Sequence, residues 1–492
     1  MPSLFARLTQ RFRPEVAAGR RDFLQSTAAI GAGLLLSNQF SFGAQKAKQK
    51  RVVVVGGGFG GLACAHELKA AGYHVTVIEA RPRVGGRVLS FKDFIAGKNV
   101  EGGGELIGSN HPTWVAYAEK FGLKFLDVSP EDDLNMPIHL GGKLLDDEAA
   151  GSVYEEMEAA LSTMNADAEA IDAEQPWKSP KAAELDKKTL ADWLKSLEVS
   201  DLVRTLTAIQ IGSDNAVANE AASYLAMLAC VKGGGGEKYW TDSEVYRCEG
   251  GNDTLAKRLG EAIGPENIRL KLPVSEINYT REGAVVTCKD GRTLECDEVV
   301  LAVPPSLWPS IKFSPGLPAS LAKQQMGTAV KYLTAVKSPF WRENERSQYA
   351  VTDGPISQTW DLTDAQAEEP PTAGLIAFSG GPQAQECLDF PKKDRDARYA
   401  AEFEKIYPGF KENFEKSRMM DWPLDPFTKG GYSFPAPGQV TTAGPTIYSG
   451  VGRLHFCGEH TCYKFSGYME GGLNSGVSLA KRIAQRDGVV KK

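Results

Sequence analysis

Residues 51–61, RVVVVGGGFGG, decide how the rest of the chain is arranged. Four consecutive valines are typical of a parallel strand that is buried on both faces. Gly56, Gly58 and Gly61 then supply the spacing G-x-G-x-x-G, which allows a tight turn and a close approach of the backbone to a pyrophosphate. The residues that follow, 62–71, are predicted to form a helix whose positive N-terminal end points at that pyrophosphate.

A second predicted strand, HVTVIEA at residues 74–80, carries Glu79 near its end, eighteen residues after Gly61. An acidic side chain at this place can accept hydrogen bonds from both hydroxyls of an adenosine ribose. The glycine spacing alone is weak support for a ligand site. Together with the flanking strand and helix and the acidic residue, it favours a dinucleotide site over an ordinary glycine turn.

Composition limits the class of protein. The chain has 492 residues, of which 42% are hydrophobic and 24% charged, as expected for a globular protein with room for two domains. A net charge of -6 and the lack of a basic aromatic patch in the sequence argue against nucleic acid as a partner. The eight cysteines show no paired short spacing of the zinc or redox kind, so we expect buried thiols and no metal site.

The first fifty residues are predicted to stand apart from the fold as an export signal. Arg20 and Arg21 open the stretch RRDFL, which matches the twin-arginine pattern R-R-x-F-L. The apolar run at residues 28–36 is too short to cross a bilayer as a stable helix. We therefore predict a signal peptide at residues 1–43 and a periplasmic or secreted protein with no stable membrane anchor. The alternative is a chance arginine pair before a buried helix.

The twin-arginine route exports folded proteins, so its machinery is a predicted partner of this chain. A protein that carries a dinucleotide needs such a route, because the dinucleotide must be bound inside the cell first. We therefore expect the glycine turn to be folded and occupied before export.

The segment after the second strand, EARPRVGGR at residues 79–87, is rich in arginine and glycine. Arg81 and Arg87 can reach phosphate oxygens with forked donors, and Gly86 allows the backbone to come close. A surface turn with solvated charges is the alternative. The segment resembles the flavin-dependent amine oxidase family, in which E-A-R-x-R-x-G-G-R directly follows the first dinucleotide-binding unit. The resemblance implies that the dinucleotide is FAD and leaves NAD as the minority interpretation.

The resemblance covers nearly all of the chain after Arg51 and implies a discontinuous α/β fold. A Rossmann-like FAD-binding domain with a three-layer ββα architecture is assigned to residues 50–105, 245–305 and 430–486. A substrate-binding domain with a mixed sheet and a helical part is assigned to residues 106–244 and 306–429. Alanine, glutamate, leucine and lysine at helical spacing over residues 148–228 predict the helical part.

The same resemblance implies which residues surround the cofactor. Those expected at the flavin, its phosphate or its ribityl arm are Gly103, Gly104, Glu105, Leu106, Trp422, Gly458, Glu459, Tyr468 and Met469, and Val274 is expected to contact the adenine through its backbone. A glycine cluster beneath a flat ring is sensible because it lets the backbone come close. Glu105 hints at a cationic substrate, but pairing of its carboxylate with a nearby arginine is the favoured interpretation.

Three side chains are expected to take part in the reaction. Lys331 lies in an apolar strand, where burial is costly unless the lysine has a partner or a task. Periodicity alone places it on the solvent face of that strand, whereas the family has here a lysine that holds a water against flavin N5. Tyr432 and Tyr468 match the facing tyrosines of the monoamine oxidases, although either alone is typical of core packing. Two aromatic faces can guide an amine nitrogen and exclude water.

Two residues depart from the pattern of close relatives within the family. Gly431 stands where the mammalian-type monoamine oxidases have the cysteine that is bonded to the flavin, so we predict that FAD is held without a covalent bond. Leu106 stands where the L-amino acid oxidases have an arginine that clamps the substrate carboxylate. This weakens the prediction of an amino acid substrate but leaves it open, because another arginine from the helical region can reach the same pocket.

The resemblance implies an exported FAD-dependent amine oxidase. A neutral amine between the two tyrosines gives a hydride equivalent from its α-carbon to flavin N5. The resulting imine hydrolyses to a carbonyl product and ammonia or a smaller amine. The electrons pass to O2, giving hydrogen peroxide, or to a redox protein. An L-amino acid oxidase is the alternative enzyme, and a flavin-binding protein without turnover is the alternative of another class. Which amine is oxidised, and whether two chains form a homodimer, is left open.

Overall fold

The computed structural model describes residues 3–13, 50–129, 134–367 and 370–490. Its strands, in chain order, are β1 Arg51–Val55, β2 His74–Ile78, β3 Ser90–Phe91, β4 Val100–Glu101, β5 Phe125–Asp127, β6 Ile138–Leu140, β7 Lys143–Leu144, β8 Tyr246–Cys248, β9 Ile268–Arg269, β10 Val274–Tyr279, β11 Ala284–Cys288, β12 Thr293–Cys296, β13 Glu298–Leu301, β14 Lys312–Ser314, β15 Ala329–Val336, β16 Ala350–Thr352, β17 Gln358–Asp361, β18 Leu375–Gly380, β19 Phe414–Met420 and β20 Leu454–Phe456. Its helices are α1 Leu4–Phe12, α2 Phe59–Ala70, α3 Pro112–Phe121, α4 Asp147–Ala168, α5 Ala182–Leu185, α6 Leu190–Ser196, α7 Asp201–Asp214, α8 Tyr224–Gly234, α9 Glu237–Asp242, α10 Asp253–Ile263, α11 Pro382–Leu388, α12 Arg395–Ile406, α13 Phe410–Asn413, α14 Gln439–Ser449 and α15 Met469–Arg486.

The valine strand β1 lies at the centre of a parallel five-stranded sheet with the order β20-β13-β1-β2-β9. Val52 and Val54 pack on α2, α10 and α15, while Val53 and Val55 pack on a second sheet with the order β12-β11-β10-β14. Both faces of β1 are therefore buried, as four consecutive valines predict. The two sheets and the helical layer form the predicted ββα arrangement, which the structure confirms.

The glycine turn enters its helix one turn earlier than predicted. Helix α2 begins at Phe59 rather than near residue 62, so Gly60 and Gly61 belong to its first turn. A Cβ atom on Gly61 would lie 2.0 Å from the carbonyl oxygen of Gly56, and one on Gly60 would lie 3.0 Å from the backbone nitrogen of Gly458. Glycine is needed at these two places because backbone packs directly on backbone.

The substrate-binding part is built on a mixed seven-stranded sheet with the order β19-β15-β18-β17-β16-β6-β7. Helices α4, α6, α7 and α8 cover one face of this sheet, and α11 and α12 cover the other. Strand β15 is buried along its whole length because it lies between these two helical layers. The helices between residues 148 and 228 confirm the predicted helical part.

The described structure differs from the predicted division of the chain at two places. Helix α3 was assigned to the substrate-binding domain, but Trp114 and Tyr117 pack with Leu62 in the core of the nucleotide-binding layers. Strand β14, also assigned to the substrate-binding domain, pairs with β10 of the second sheet. Local sequence patterns could not place these elements, because their positions depend on partners distant in the chain.

The N-terminal segment also differs from expectation. Helix α1 packs in the core of the substrate-binding part, where Leu4, Phe5 and Leu8 are buried, and the guanidinium of Arg7 stacks 3.4 Å from the ring centre of Tyr349. The expectation that the first fifty residues stand apart from the fold is therefore wrong for α1, because this helix buries its apolar side on the domain. The predicted twin-arginine pair at residues 20 and 21 lies outside the described residues.

The cysteines are all buried and none forms a disulfide, which confirms the prediction of buried thiols. Burial in apolar surroundings raises the pKa of several of these thiols; for Cys230 and Cys462 it reaches about 12. These groups therefore behave as small apolar side chains rather than as nucleophiles. None of the described helices is both long and apolar enough to span a membrane.

The contact between Gly61 and Gly56 gives a first prediction. We expect Gly61→Ala to lower the free energy of unfolding by about 1–3 kcal/mol, because the added methyl group collides with a backbone oxygen that cannot move aside. The control is Gly316→Ala, since no atom lies within 4 Å of the position of its Cβ. Urea unfolding of both variants measures the effect. Equal stability of the two variants would contradict the packing described here.

Candidate active site

One cavity of about 630 Å³ runs from the end of β1 into the substrate-binding part. Of the residues predicted to form the site, it is lined by Gly56, Gly58, Glu79, Arg81, Gly86, Arg87, Gly103, Gly104, Glu105, Leu106, Val274, Lys331, Trp422, Tyr432, Gly458, Glu459, Tyr468 and Met469. Gly61 is the one predicted residue that does not line it, since this glycine packs behind the turn. The tertiary structure thus brings motifs from all parts of the chain to one continuous space.

The end of the cavity at the glycine turn suits an ADP group. Gly56 has φ +112, a backbone conformation that favours glycine. Gly58 caps α2 without a side-chain hydrogen bond, so the free N–H groups of the first turn are available to an anion. Glu79 accepts hydrogen bonds from the backbone N–H groups of Gly57 and Arg81, both at 2.7 Å. Each of its oxygens keeps a lone pair for a ribose hydroxyl.

Both predicted phosphate-binding arginines line the cavity, but their donors are engaged with protein groups. Arg81 makes a bidentate ion pair with Asp425, with distances of 2.6 and 3.0 Å. Arg87 donates to Glu459 at 3.0 Å and to the carbonyl oxygen of Gly431 at 2.8 Å. The alternative of solvated surface charges does not hold for either residue. Phosphate contact by these arginines stays a prediction.

The centre of the cavity is organised by a buried carboxylate that holds two cations. Glu105 accepts from Lys331 at 2.6 Å and from Arg247 at 2.8 and 3.1 Å, and the indole N–H of Trp360 adds a further bond at 2.9 Å. Burial alone would raise the pKa of Glu105, but the two adjacent positive charges outweigh it and lower the pKa to about 2. The prediction that an arginine pairs with Glu105 is confirmed, and Glu105 is not free to bind a cationic substrate.

Lys331 lies on β15 with its side chain turned inward, not toward solvent as periodicity alone would place it. Its ammonium donates to the carbonyl oxygen of Gly103 at 2.7 Å as well as to Glu105. Only 8% of the residue is exposed, and it lines the cavity. The lysine is therefore fixed between the substrate sheet and the glycine segment that the resemblance places beneath the flavin.

The two predicted tyrosines both line the cavity, and one carboxylate fixes the chain beside each of them. Glu459 accepts from the hydroxyl of Ser433 at 2.6 Å and from the backbone N–H of Gly467 at 3.0 Å. These residues directly adjoin Tyr432 and Tyr468. Although burial acts to raise the pKa of Glu459, the charge of Arg87 outweighs it and lowers that pKa. The resemblance implied that Glu459 contacts the cofactor, and its role in positioning both tyrosine loops was not predicted.

The remaining predicted flavin contacts form a narrow wall of the cavity. Trp422 donates its indole N–H to the carbonyl oxygen of Gly102 at 2.9 Å. A Cβ atom on Gly103 would lie 3.2 Å from the Trp422 ring, and one on Gly104 would lie 3.1 Å from the sulfur of Met469. Larger residues in this glycine segment would therefore displace the tryptophan and the methionine.

Gly431 has neither a thiol nor room for one. A Cβ atom on this residue would lie 2.7 Å from the Cβ of Ala329 on β15. No side chain is thus available for a bond to the cofactor at the position where mammalian-type relatives have their cysteine. This agrees with the prediction that the flavin is held without a covalent bond.

Several residues of the cavity were not predicted from the sequence. Asp214 ends α7, Glu244 follows α9, and Gln358 begins β17, and all three line the cavity on the same side as the tyrosines. None of them stands in a recognisable motif, because they come from separate segments of the chain that meet only in the folded protein. The buried arginine of the Glu105 cluster, Arg247, was missed for the same reason.

The geometry defines a class of protein. A glycine turn, a helix N-terminus and an acidic residue at the end of the second strand form a dinucleotide site, and the cavity extends from it past a buried lysine to two tyrosines. This is the site of an oxidoreductase that binds a dinucleotide beside its substrate.

Comparison with known proteins identifies the family. The family described as flavin containing amine oxidoreductase matches residues 59–484, and the chain belongs to this flavin-containing amine oxidase family. The human protein amine oxidase [flavin-containing] B is 27% identical over 460 residues, which are 89% of this chain and 87% of that protein. The probable flavin-containing monoamine oxidase A of Dictyostelium discoideum is 25% identical over 456 residues, covering 88% of this chain and 97% of that one.

Solved structures show the same fold. Cyclohexylamine oxidase from Brevibacterium oxydans IH-35A superposes with a TM-score of 0.78 at 26% identity, covering 89% of this chain and 99% of that one. A wild-type putrescine oxidase bound to putrescine gives the same values. The protein is therefore an FAD-dependent oxidoreductase, and the residues at the glycine turn and along the cavity fit that cofactor.

The Glu105 cluster gives a second prediction. We expect Glu105→Gln to lower the free energy of unfolding by about 3–5 kcal/mol at neutral pH, since two buried cations lose their counter-charge. The matched control is Glu261→Gln, whose partner Arg258 is 51% exposed in its side chain, so its loss costs about 0–1 kcal/mol. Urea unfolding of the two variants beside the unchanged protein measures both costs.

The loss of stability caused by Glu105→Gln should depend on pH. The pKa of Glu105 is lowered in the folded protein from 4.5 to about 2, so its carboxylate contributes stability that is complete above pH 4.5 and is lost as the pH falls toward 2. The difference in stability between Glu105→Gln and the unchanged protein should shrink over this range on acidification. A difference that grew in acid would show that Glu105 is not held as an anion.

Proposed function

We propose that this amine oxidase acts on small amines that lack a carboxylate, and that it passes the electrons to O2 with release of hydrogen peroxide. The observation that carries the proposal is that the described cations lining the cavity near the tyrosines, Lys331 and Arg87, are already paired with carboxylates. A substrate carboxylate would therefore have no cation there to bind.

The lysines and arginines that line the cavity do not favour binding of an amino acid through its carboxylate. Among the described residues that line it, Lys331, Arg81 and Arg87 are paired with carboxylates. The other two cations that line it, Lys289 and Lys429, are at the nucleotide end of the cavity. The backbone N–H of Lys289 donates to the carbonyl oxygen of Pro273, next to Val274. Lys429 directly follows Thr428, whose hydroxyl accepts a hydrogen bond from Arg81.

An L-amino acid oxidase needs an arginine that binds the substrate carboxylate. Neither of the two sources that the sequence analysis considered, the position of Leu106 and the helical region, supplies such an arginine to the cavity. Leu106 occupies the predicted clamp position and lines the cavity as an apolar side chain. The helical region at residues 148–228 has a single arginine, Arg204. Its guanidinium binds the carbonyl oxygens of Leu197 and Val199 and does not line the cavity.

The chain's own residues have distinct tasks in this proposal. A bound FAD supplies the two-electron acceptor, so the protein supplies placement, desolvation and electrostatics. Tyr432 and Tyr468 direct the neutral amine by their aromatic faces and exclude water. Lys331, fixed by Glu105 and the carbonyl oxygen of Gly103, would hold a water beside a bound flavin and assist its reoxidation. Two structural relatives, named for their action on cyclohexylamine and on putrescine, support an amine as the substrate.

A substrate panel tests this proposal. We expect purified holoenzyme to release hydrogen peroxide with aliphatic or aromatic amines and to be at least about tenfold less efficient with the matched L-amino acids, since an unfavourable interaction of about 1.4 kcal/mol changes the rate tenfold. Each amino acid is paired with the amine that it gives on loss of its carboxyl group, for example L-phenylalanine with phenethylamine. Higher kcat/KM for the amino acids would favour the alternative function, an L-amino acid oxidase.

A separate prediction concerns Lys331. We expect Lys331→Met to slow reoxidation of the reduced flavin by O2 by at least about tenfold, because the variant loses the cation and the water that it holds. The control is Lys337→Met, which changes a lysine just beyond the other end of the same strand, where its ammonium binds the carbonyl oxygen of Glu412 near the surface. Stopped-flow mixing of reduced enzyme with O2 gives the rate. Unchanged reoxidation in Lys331→Met would remove this role.

We also propose that the protein is exported in folded form by the twin-arginine route. The support is the RRDFL pattern and the apolar run after it. In a bacterial host, the double change Arg20→Lys and Arg21→Lys should retain the flavin-containing protein in the cytoplasm, because the pair is read as a signal rather than as charge. The control with the same change of residue type is Arg11→Lys with Arg13→Lys. Cell fractionation measures the outcome, and normal export of the first variant would contradict the proposal.

A further inference from the structure

Residues 422–429, here called the cover segment, extend from the substrate sheet over the nucleotide end of the cavity. The segment lies just after β19. Its residues that line the cavity are Trp422, Pro426, Phe427, Thr428 and Lys429. Its other side faces solvent, since Leu424 is 60% exposed and Phe427 is 37% exposed. The cover segment is therefore a thin part of the wall between the cavity and the surrounding water.

Arg81, from the loop after β2, binds this segment. Its guanidinium donates to the Asp425 carboxylate at 2.6 and 3.0 Å and to the hydroxyl of Thr428 at 2.9 Å. The guanidinium also lies 5.4 Å from the ring centre of Phe427 and 5.9 Å from that of Trp422, which is within the range of a cation–π contact. One side chain of the nucleotide-binding layers thus binds the cover segment along most of its length.

The pair of Arg81 and Asp425 is stronger than an ordinary surface ion pair. The two side chains are 13% and 24% exposed, and the contact is bidentate, so solvent screens it little. Although burial acts to raise the pKa of Asp425, the bonds from Arg81 outweigh it and lower that pKa. The carboxylate also accepts from the backbone N–H of Phe427 at 2.9 Å. Asp425 is therefore an anion at neutral pH and fixes the turn that it belongs to.

The two ends of the cover segment are fixed independently of this pair. The indole of Trp422 binds the glycine segment beside Lys331, and the backbone N–H of Gly431 donates to a carbonyl oxygen just before β15. Between these ends, the segment is attached through Arg81 and through the hydroxyl of Ser306, which donates to the carbonyl oxygen of Thr428. The middle of the segment can therefore open while its ends stay in place.

We propose that Asp425 retains the cofactor: by pairing with Arg81 it holds the cover segment closed over the nucleotide end of the cavity, and FAD leaves when this pair opens. Gly431 offers no side chain for a covalent bond, so retention depends on noncovalent contacts. Asp425 and Thr428 use three of the five N–H donors of Arg81. The arginine thus keeps donors for an anion while it holds the segment.

Asp425 is a positioning residue in this proposal, because it acts on the cofactor through Arg81. A carboxylate at such a place can also have the opposite effect, since it can compete with a phosphate for the guanidinium. The two effects differ in sign. Removing the carboxylate speeds the loss of FAD if it holds the segment closed and slows that loss if it competes.

The rate at which FAD leaves the holoenzyme tests the proposal. Holoenzyme is diluted into buffer without FAD, and the released flavin is separated by ultrafiltration at timed intervals and measured by its fluorescence. We expect Asp425→Asn to lose FAD about tenfold faster than the unchanged protein, because a bidentate charged pair is lost and such losses appear mainly in the rate of dissociation.

The matched control is Glu402→Gln on α12. The Glu402 carboxylate is also 24% exposed, and both of its oxygens bind one cation, Lys405, at 2.8 Å. It does not line the cavity. This variant therefore removes the same charge from a similar ion pair, and it should lose FAD at the rate of the unchanged protein.

A double variant shows whether Asp425 acts through Arg81. We expect Arg81→Gln to lose FAD faster than the unchanged protein. Adding Asp425→Asn to it should change the rate by less than about twofold, because the partner is already absent and the two effects are not additive. A tenfold effect of Asp425→Asn in both backgrounds would show that this carboxylate acts independently of Arg81 and would overturn the proposal.

Limited proteolysis distinguishes local opening from a general loss of stability. Chymotrypsin cuts after aromatic residues, and Phe427 lies in the cover segment. With excess FAD present, we expect Asp425→Asn to be cut after Phe427 about tenfold faster than the unchanged protein, because the open form of the segment is more populated. Mass spectrometry of the fragments identifies the site. Cleavage at other sites should keep its rate.

Three further results would overturn the proposal. Slower loss of FAD from Asp425→Asn would show that the carboxylate competes with the cofactor for Arg81. An unchanged rate would show that the pair does not limit release. Faster loss together with faster cleavage at all sites would show a general loss of stability. These measurements follow the cofactor and not the oxidation of an amine, so they do not depend on the substrate class proposed above.

Discussion

A single buried carboxylate, Glu105, is the interaction on which the cavity depends. It forms ion pairs with both Lys331 from the substrate sheet and Arg247 from β8, which come from distant parts of the chain. Burying three charges costs several kcal/mol per ion, and only good geometry with further hydrogen bonds offsets that cost. The bond from Trp360 and the carbonyl oxygen of Gly103 supply them. None of these elements can move alone without leaving a buried charge unpaired.

The same principle operates at the tyrosines. Glu459 is balanced by Arg87 and holds the chain beside Tyr432 and Tyr468. Ser433 and Gly467, which Glu459 binds, directly adjoin these two tyrosines. A buried carboxylate that is paired with a cation thus positions the groups around it.

Much of the nucleotide-binding half could be predicted because its signals are local. A valine run, a glycine turn and an acidic residue at the end of the next strand are determined by short-range backbone geometry, and the structure has them in the predicted order. The same reasoning missed α3 and β14, whose partners are distant in the chain. It also could not find that Arg81 pairs with Asp425, 344 residues away. Helix α1 was expected outside the fold, since its apolar residues alone do not indicate what they pack against.

The sequence by itself determined the strand, turn and helix at residues 51–61, the family and the cofactor, and all but one of the residues that it predicted for the site line the cavity. Each of these follows from close spacing or from motifs whose residues stand together. Only the tertiary structure decided which charges are balanced. It assigned Glu105 to Lys331 and Arg247, and it paired Arg87 with Glu459 beside the tyrosines. Ion pairing depends on three-dimensional proximity and burial, and neither is encoded in the spacing of residues along the chain.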